Sequence, residues 1–440
     1  MNIGDYSPPD PPSLDQQRDA LQKGLGRAMR WATTRWLDDD PLLEACLRDL
    51  RFDTQIDEPR GDWLWRMIRE VDAVDRFRVP ILHALYELSD DRSANQLCEL
   101  ARHYAKAGDD TFRMRLYEIV ERKPIAESHW LGEEEIIQLD GEEAFLFAAR
   151  VRGGLLPSRD WEWDDEMLVH YAIERFGEER VDRLLENTRD GAIGFFRERW
   201  RRQKEVEAGR GQDLPYREEM RAIPVREIIS AAESKEPDFY FRGWGRYAED
   251  ADLALVLQHL SATRETNVIT NLLQVFSNRA APQFVARFIE LCQQGDQDVR
   301  RGTLIALENI EHPLVREFAL SELENGVRHK SVVGLFSRNF QRGDEQRILE
   351  AIEFPEDDCE LHWLLMDVLK VLENNPDADC SQLGLIIYAS TPCENCRFHA
   401  ARLLLDQQVA PGWLIEECRY DSAKRCREMV ETAEGSIEAV

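Results

Sequence analysis

Positive charge is scarce in this chain. It carries 56 Lys and Arg against 85 Asp and Glu, a formal net charge of −29 over 440 residues. Gripping a nucleic-acid backbone takes clustered Lys and Arg that displace its counterions, so no nucleic-acid partner is expected. Long apolar runs are missing too. The longest, Leu383 to Ala389 with Gly384 inside it, is far short of the ~20 residues that span a bilayer, so no membrane partner is expected. The opening Met1-Asn-Ile-Gly-Asp-Tyr-Ser-Pro-Pro has no basic stretch leading into an apolar one, and does not read as a signal peptide. Residues 1–13 read as an extended, disordered tail. Cysteine is sparse: nine in the whole chain, an odd number that suits reduced thiols better than a disulfide scaffold. These shortages together describe a cytoplasmic protein. Its acidic surface favours solubility and attracts basic partners over long range.

Sequence signatures of catalysis are absent as well. There is no Walker loop and no G-x-G-x-x-G opening a βαβ unit. There is no G-x-S-x-G nucleophile elbow and no H-E-x-x-H.

What the chain does have is a repeat. With Val299 as origin, offsets of four, seven and eight fall on one face of a helix and pick out Thr303, Ala306 and Leu307. Stepping back 31 residues gives Val268, Leu272, Val275 and Phe276. Stepping forward gives Val332, Phe336, Asn339 and Phe340, then Leu364, Val368, Val371 and Leu372, then Cys396, Ala400, Leu403 and Leu404. Only Thr303 and Asn339 in this set are not apolar. A second helix fits between successive copies, as in Pro282–Leu291 and Pro313–Leu323, each opening on a proline suited to a first helical turn. Phe77, Ile81, Ala84 and Leu85 fit the same template, as do Phe112, Leu116, Ile119 and Val120, and Leu21, Leu25, Ala28 and Met29. Ala144, Ala148 and Val151 fit in part. Two helices per ~32 residues, unable to bury their faces alone, predict an α-solenoid.

From 153 to 251 the register fails. The expected layout is therefore a disordered tail (1–13), an N-terminal helical array (14–152), a divergent joint or insertion (153–251) and a C-terminal array (252–433).

The opening Asp296-Gln297-Asp298-Val299-Arg300 resembles the first helix of HEAT-like repeats, in the short form first recognised in phycobilin lyases. That helix carries Asp-x-x-Val-Arg-x-x-Ala, and Thr303 stands here in place of the alanine. Glu394 to Ala401 is a second match. The resemblance implies an all-α, right-handed superhelical α-solenoid of HEAT-like helix pairs. It also implies a concave face lined by second helices, with Arg287, Arg316, Glu317 and Glu322 on the solvent side as candidate protein-binding residues. Di-iron hydroxylases built on such repeats use paired His-Glu dipeptides, and this sequence has none.

Three groups of residues could carry function. Cys393-Glu-Asn-Cys396 is a C-x2-C, and Cys359 with His362 lies one repeat earlier, so the four could hold Zn2+. Cys393 also falls in a helix's first turn, where backbone N–H groups lower a thiol pKa. Against both readings, Cys396 sits in register with Val268 and Val299, a core position suited to a small buried hydrophobe. The basic run Arg197 to Lys204 reads as a helix face paired with the abundant Glu. The aromatic stretches bring Trp161, Trp163, Trp200 and Trp244 into the divergent joint, as a protein-binding surface or as core.

The expectation is a non-catalytic scaffold or adaptor for a basic protein, without a required cofactor. The alternatives are a lyase or chaperone acting on a bound small molecule, as the phycobilin-lyase resemblance allows, and an immunity-type inhibitor that neutralises a basic toxin.

Overall fold

The computed structural model describes residues 6–122, 131–155, 165–210, 216–234, 240–293, 296–324 and 330–437. Among these the chain is all-α, with no strand. Helix starts follow local chemistry. Ser13 and Gln16 form a reciprocal capping box at Leu14–Lys23, with Ser13 N–H donating to Gln16 Oε1 at 2.8 Å. Asp90, Asp296 and Asp357 each accept a backbone N–H at the head of the helix that follows.

The chain divides into two compact units. One is Met1–Tyr6 with Asp213–Pro411, and the other is Ser7–Gln212 with Gly412–Val440. These boundaries fall elsewhere than those expected from the repeat register. The first lies inside the divergent stretch, and the second assigns the last helices to the unit that contains the first ones.

In the unit of residues 213–411 the helices and the 3-10 turn that carry the template positions pack on one another in chain order. Thr266–Gln274 packs on Gln297–Leu307, which packs on the 3-10 turn Lys330–Leu335. That turn packs on Asp358–Asn374, which packs on Glu394–Asp406. All template positions here are buried except Phe340 and Leu403, which are half-buried. The two polar positions are explained by hydrogen bonds. Thr303 Oγ1 donates to Val299 O at 2.6 Å, within its own helix. Asn339 Nδ2 donates to Ile310 O (2.9 Å) and Leu335 O (3.0 Å), while its Oδ1 accepts from His312 N–H at 2.9 Å. Asn309 and Asn375 make parallel clamps. Each donates to the last turn of the helix before it and to the carbonyls of a Phe-Ser pair earlier in the chain, Phe276-Ser277 and Phe336-Ser337. Orphan carbonyls at helix ends are thus satisfied by side chains from later in the chain.

Three helix expectations need correction. The segment opening at Pro282 is irregular, and helix begins only at Arg287. The copy at 332–340 is a 3-10 turn followed by the short helix Phe336–Asn339. The copy at 21–29 is split into Leu14–Lys23 and Gly26–Thr33 by Gly24, whose φ of 73° is left-handed. At the N-terminus, residues 6–13 are irregular, and Asp10 pairs with Arg30.

That split positions the end of the chain. A Cβ on Gly24 would sit 2.0 Å from Ser422 Oγ, and one on Gly26 would sit 1.9 Å from Glu417 O. The bare backbone lets Gly412–Arg419 pack directly on Gly26–Thr33. Ser422 N–H donates to Gly24 O at 3.0 Å, and Trp63 Nε1 donates to Tyr420 O at 2.9 Å. Arg27 makes a two-pronged bond with Glu417 (2.6 and 3.1 Å), whose side chain is almost wholly buried. From there a row of helices continues through Gly61–Glu70, Asp91–Lys106, Glu133–Asp140 and Asp165–Phe176. Phe112, Leu116, Ile119 and Val120 are fully buried in this unit's core, as are Leu21, Leu25, Ala28 and Met29.

Candidate functional site

Asp357 caps Asp358–Asn374, which carries His362 on its second turn. The next helix, Glu394–Asp406, opens with Cys393 as its N-cap residue in extended conformation (φ −85°, ψ 123°). Thr391 Oγ1 accepts from Cys393 N–H at 3.2 Å and fixes that entry. Cys396 lies one turn on. Because the two helices pack together, His362 Nδ1 comes within 3.8 Å of Cys396 Sγ. The donor atoms of His362, Cys393 and Cys396 all lie within 4.8 Å of one another. Among the described residues it is the only cluster of this kind.

The neighbourhood changes the thiol chemistry. Hydrogen bonds from Cys396 and His362 to Cys393 Sγ, with the Cys396 N–H, pull the Cys393 pKa down to about 4, against the upward push of burial. Other buried cysteines go the opposite way. Burial lifts Cys292 to about 12 and Cys380 to about 11, and pushes Cys46 and Cys98 up as well. Those thiols are inert packing groups. The same hydrogen bonds favour the thiolate of Cys393, the form that is nucleophilic and binds metals.

Beside the cluster runs a groove of about 510 Å3, lined by Cys396, Asn395 and His399 on one side and by Trp363, Met366, Asp367 and Lys370 along the floor helix. Arg301, Ile305 and Glu308 line it from Gln297–Leu307 and the residue after it. Trp363 and Met366 are 48% and 37% exposed, one turn apart on the same helix, so an aromatic and a thioether face the open space. Several of the charges around them are paired. Lys370 bonds Glu308 at 2.5 Å, and Glu373 binds His399 at 2.6 Å and Arg402 at 3.3 Å. Burial raises the Glu308 pKa, with Lys370 acting against it.

The other expected site residues scatter. Cys359 is exposed and outside the cluster, so the four-ligand set becomes three. Trp200 and Trp244 are buried, with Trp244 Nε1 donating to Ile223 O at 3.0 Å, so both belong to the core and not to a binding surface. Trp161 and Trp163 lie outside the described residues. Arg287 pairs with Glu290 at 3.0 Å, and Glu322 pairs with Arg300. Arg316 is held by Asp344 (2.5 and 2.9 Å) and by Asn339 O, beside exposed Glu317 in a shallow cleft with Phe340. In the basic run, Arg201 pairs with Glu186 and Lys204 with Glu178 and Asp182, as a solvated helix face should. Sequence reasoning missed the Trp363–Met366 groove. Its signal was Trp-x-x-Met on the outer face of a helix whose inner face, Leu364, Val368, Val371 and Leu372, was already assigned.

No protein-family model matches this chain, and no curated protein matches it.

Proposed function

We propose that the protein is a non-catalytic scaffold or adaptor that binds a basic protein segment in the groove beside Trp363. The observation that carries this reading is the exposed Trp363–Met366 pair in a concavity where Lys370 is paired with Glu308 and His399 with Glu373. Trp is enriched in binding hot spots, and Met adapts to varied partners. The net charge of −29 supplies long-range attraction for a basic partner. In this reading the helices of residues 213–411 are HEAT-like pairs of a right-handed superhelical solenoid, and the protein works in the cytoplasm.

The test is capture from the native host by tagged wild-type protein and by a Trp363→Ala/Met366→Ala variant, across a salt series. The reading predicts a stoichiometric basic protein that is held by the wild type, released as salt rises, and not retained by the variant. A partner retained equally by the variant would place binding elsewhere. A second reading, a carrier of a small molecule, draws on the groove's volume, which lies in the range of ligand pockets. A chromophore or other small molecule released on denaturing purified protein would favour it.

A further inference from the structure

We propose that His362, Cys393 and Cys396 form a binding site for a thiophilic cation, Zn2+ in the first instance, with three protein ligands and the fourth coordination position open. The proposal is independent of the partner-binding reading.

Two cysteines at the N-cap and the third helical residue of Glu394–Asp406 sit one turn apart, so both sulfurs face the same helix start. His362 enters from the adjacent helix on the same side. With Zn–S near 2.3 Å and Zn–N near 2.0 Å, the edge of a tetrahedron between sulfur and nitrogen is about 3.5 Å. The distance from His362 Nδ1 to Cys396 Sγ is 3.8 Å, and no donor pair exceeds 4.8 Å. A cation at the centre needs only a slight inward turn of side chains that already converge.

Charge points the same way. Cys393 and Cys396 are 1% and 2% exposed. Zn2+ bound by two thiolates and an imidazole carries no net charge, which suits a buried site. The donor set, two soft sulfurs and an imidazole, selects zinc-like cations over Mg2+ or Ca2+. Cys359 shares a helix with His362 and lies three residues before it, but it is exposed and not among the converging atoms. That leaves the fourth position to water or to a ligand from outside the chain.

Reduced, metal-free full-length protein titrated with Co2+ tests this directly, because tetrahedral cobalt thiolates give intense visible and near-ultraviolet bands. The proposal predicts stoichiometric uptake with those bands, and their loss when an equal amount of Zn2+ is added. His362→Ala and Cys393→Ser should each weaken Zn2+ binding by more than about 10-fold, with helical circular dichroism unchanged. Cys359→Ser should bind as the wild type does. A wild-type spectrum without tetrahedral bands overturns the proposal without recourse to any variant. So does a Cys393–Cys396 pair that re-forms a disulfide and takes up no metal after full reduction. Loss of the bands in Cys359→Ser would overturn the three-ligand, open-position form.

Discussion

The unit of residues 213–411 and the unit that holds the chain's first helices are both helical stacks, but they are finished differently. The first is built from one continuous stretch, apart from the chain's first six residues. Its helices meet neighbours close in sequence, and asparagine clamps satisfy their ends. The second needs Gly412–Arg419 to pack on Gly26–Thr33, with Lys424–Ile437 packed in turn on Gly412–Arg419. There the contacts join residues 390 positions apart, and an ion pair and close glycine contacts replace the clamps. The difference teaches that apolar periodicity along helices encodes packing between sequence neighbours, while closure of a stack is encoded in a few residues at its ends.

The comparison is most easily broken at Glu417. Removing one partner of a buried ion pair strands the other, which costs roughly 3–5 kcal/mol. Glu417→Ala should lower the melting temperature of the unit containing Arg27, as measured by calorimetry, and Arg27→Ala combined with it should add little. Additive losses in that double-mutant cycle would show that the pair is not coupled.

Core truncations should instead make the two units look alike. Leu272→Ala and Leu116→Ala each empty a fully buried site and should each cost roughly 2–5 kcal/mol in denaturant unfolding. A much smaller loss at Leu272 would mean that the clamped stack is loosely packed.

The clamps themselves are a smaller term. Asn339→Ala leaves the carbonyls of Ile310 and Leu335 and the His312 N–H without that partner, and should cost about 1–3 kcal/mol. Amide exchange at His312 should rise with it. If exchange there is unchanged, the clamp is not what orders that turn.

The smallest expected difference is in pH dependence. In the unit of the first helices, burial is the main force lifting the Glu99 carboxyl to about 7 and Glu135 to about 8, from an ordinary value near 4.5. The folded form therefore keeps protons that the unfolded chain has released. The sign follows: these groups favour folding below about pH 4.5, and the unit loses stability as pH rises from there towards 8. Glu99→Gln with Glu135→Gln should flatten the slope of urea midpoint against pH between 5 and 8. An unchanged slope would remove these carboxyls from the account.

Much of the stack was legible in sequence, because burial on one helix face leaves a period that a template detects. Thr303 and Asn339 looked like errors in the template and are hydrogen-bonded core. Asn309 and Asn375 escaped notice because they fall just beyond the template's last position, and the fold alone sets the carbonyls they reach earlier in the chain. The docking of the last helices left one local sign, Gly24-x-Gly26, where small residues admit a second backbone. Nothing local could name Glu417 as that backbone. Trp200 defeated the reading because apolar residues on Gly191–Arg210 are not segregated to one face. In the candidate metal cluster, C-x2-C and the one-repeat offset to His362 carried three ligands. Cys359 failed because its side chain is exposed and its sulfur does not converge with the other three donors.

The account's central structural claim is that the end of the chain belongs to the stack that begins it. Hydrogen–deuterium exchange on the full chain and on a chain ending at Pro411 tests this most directly. The account predicts faster exchange in Gly26–Thr33 and Gly61–Glu70 of the shortened chain, with Thr266–Gln274 and Gln297–Leu307 unchanged. Unchanged protection in Gly26–Thr33, or loss confined to Thr266–Leu307, would contradict it.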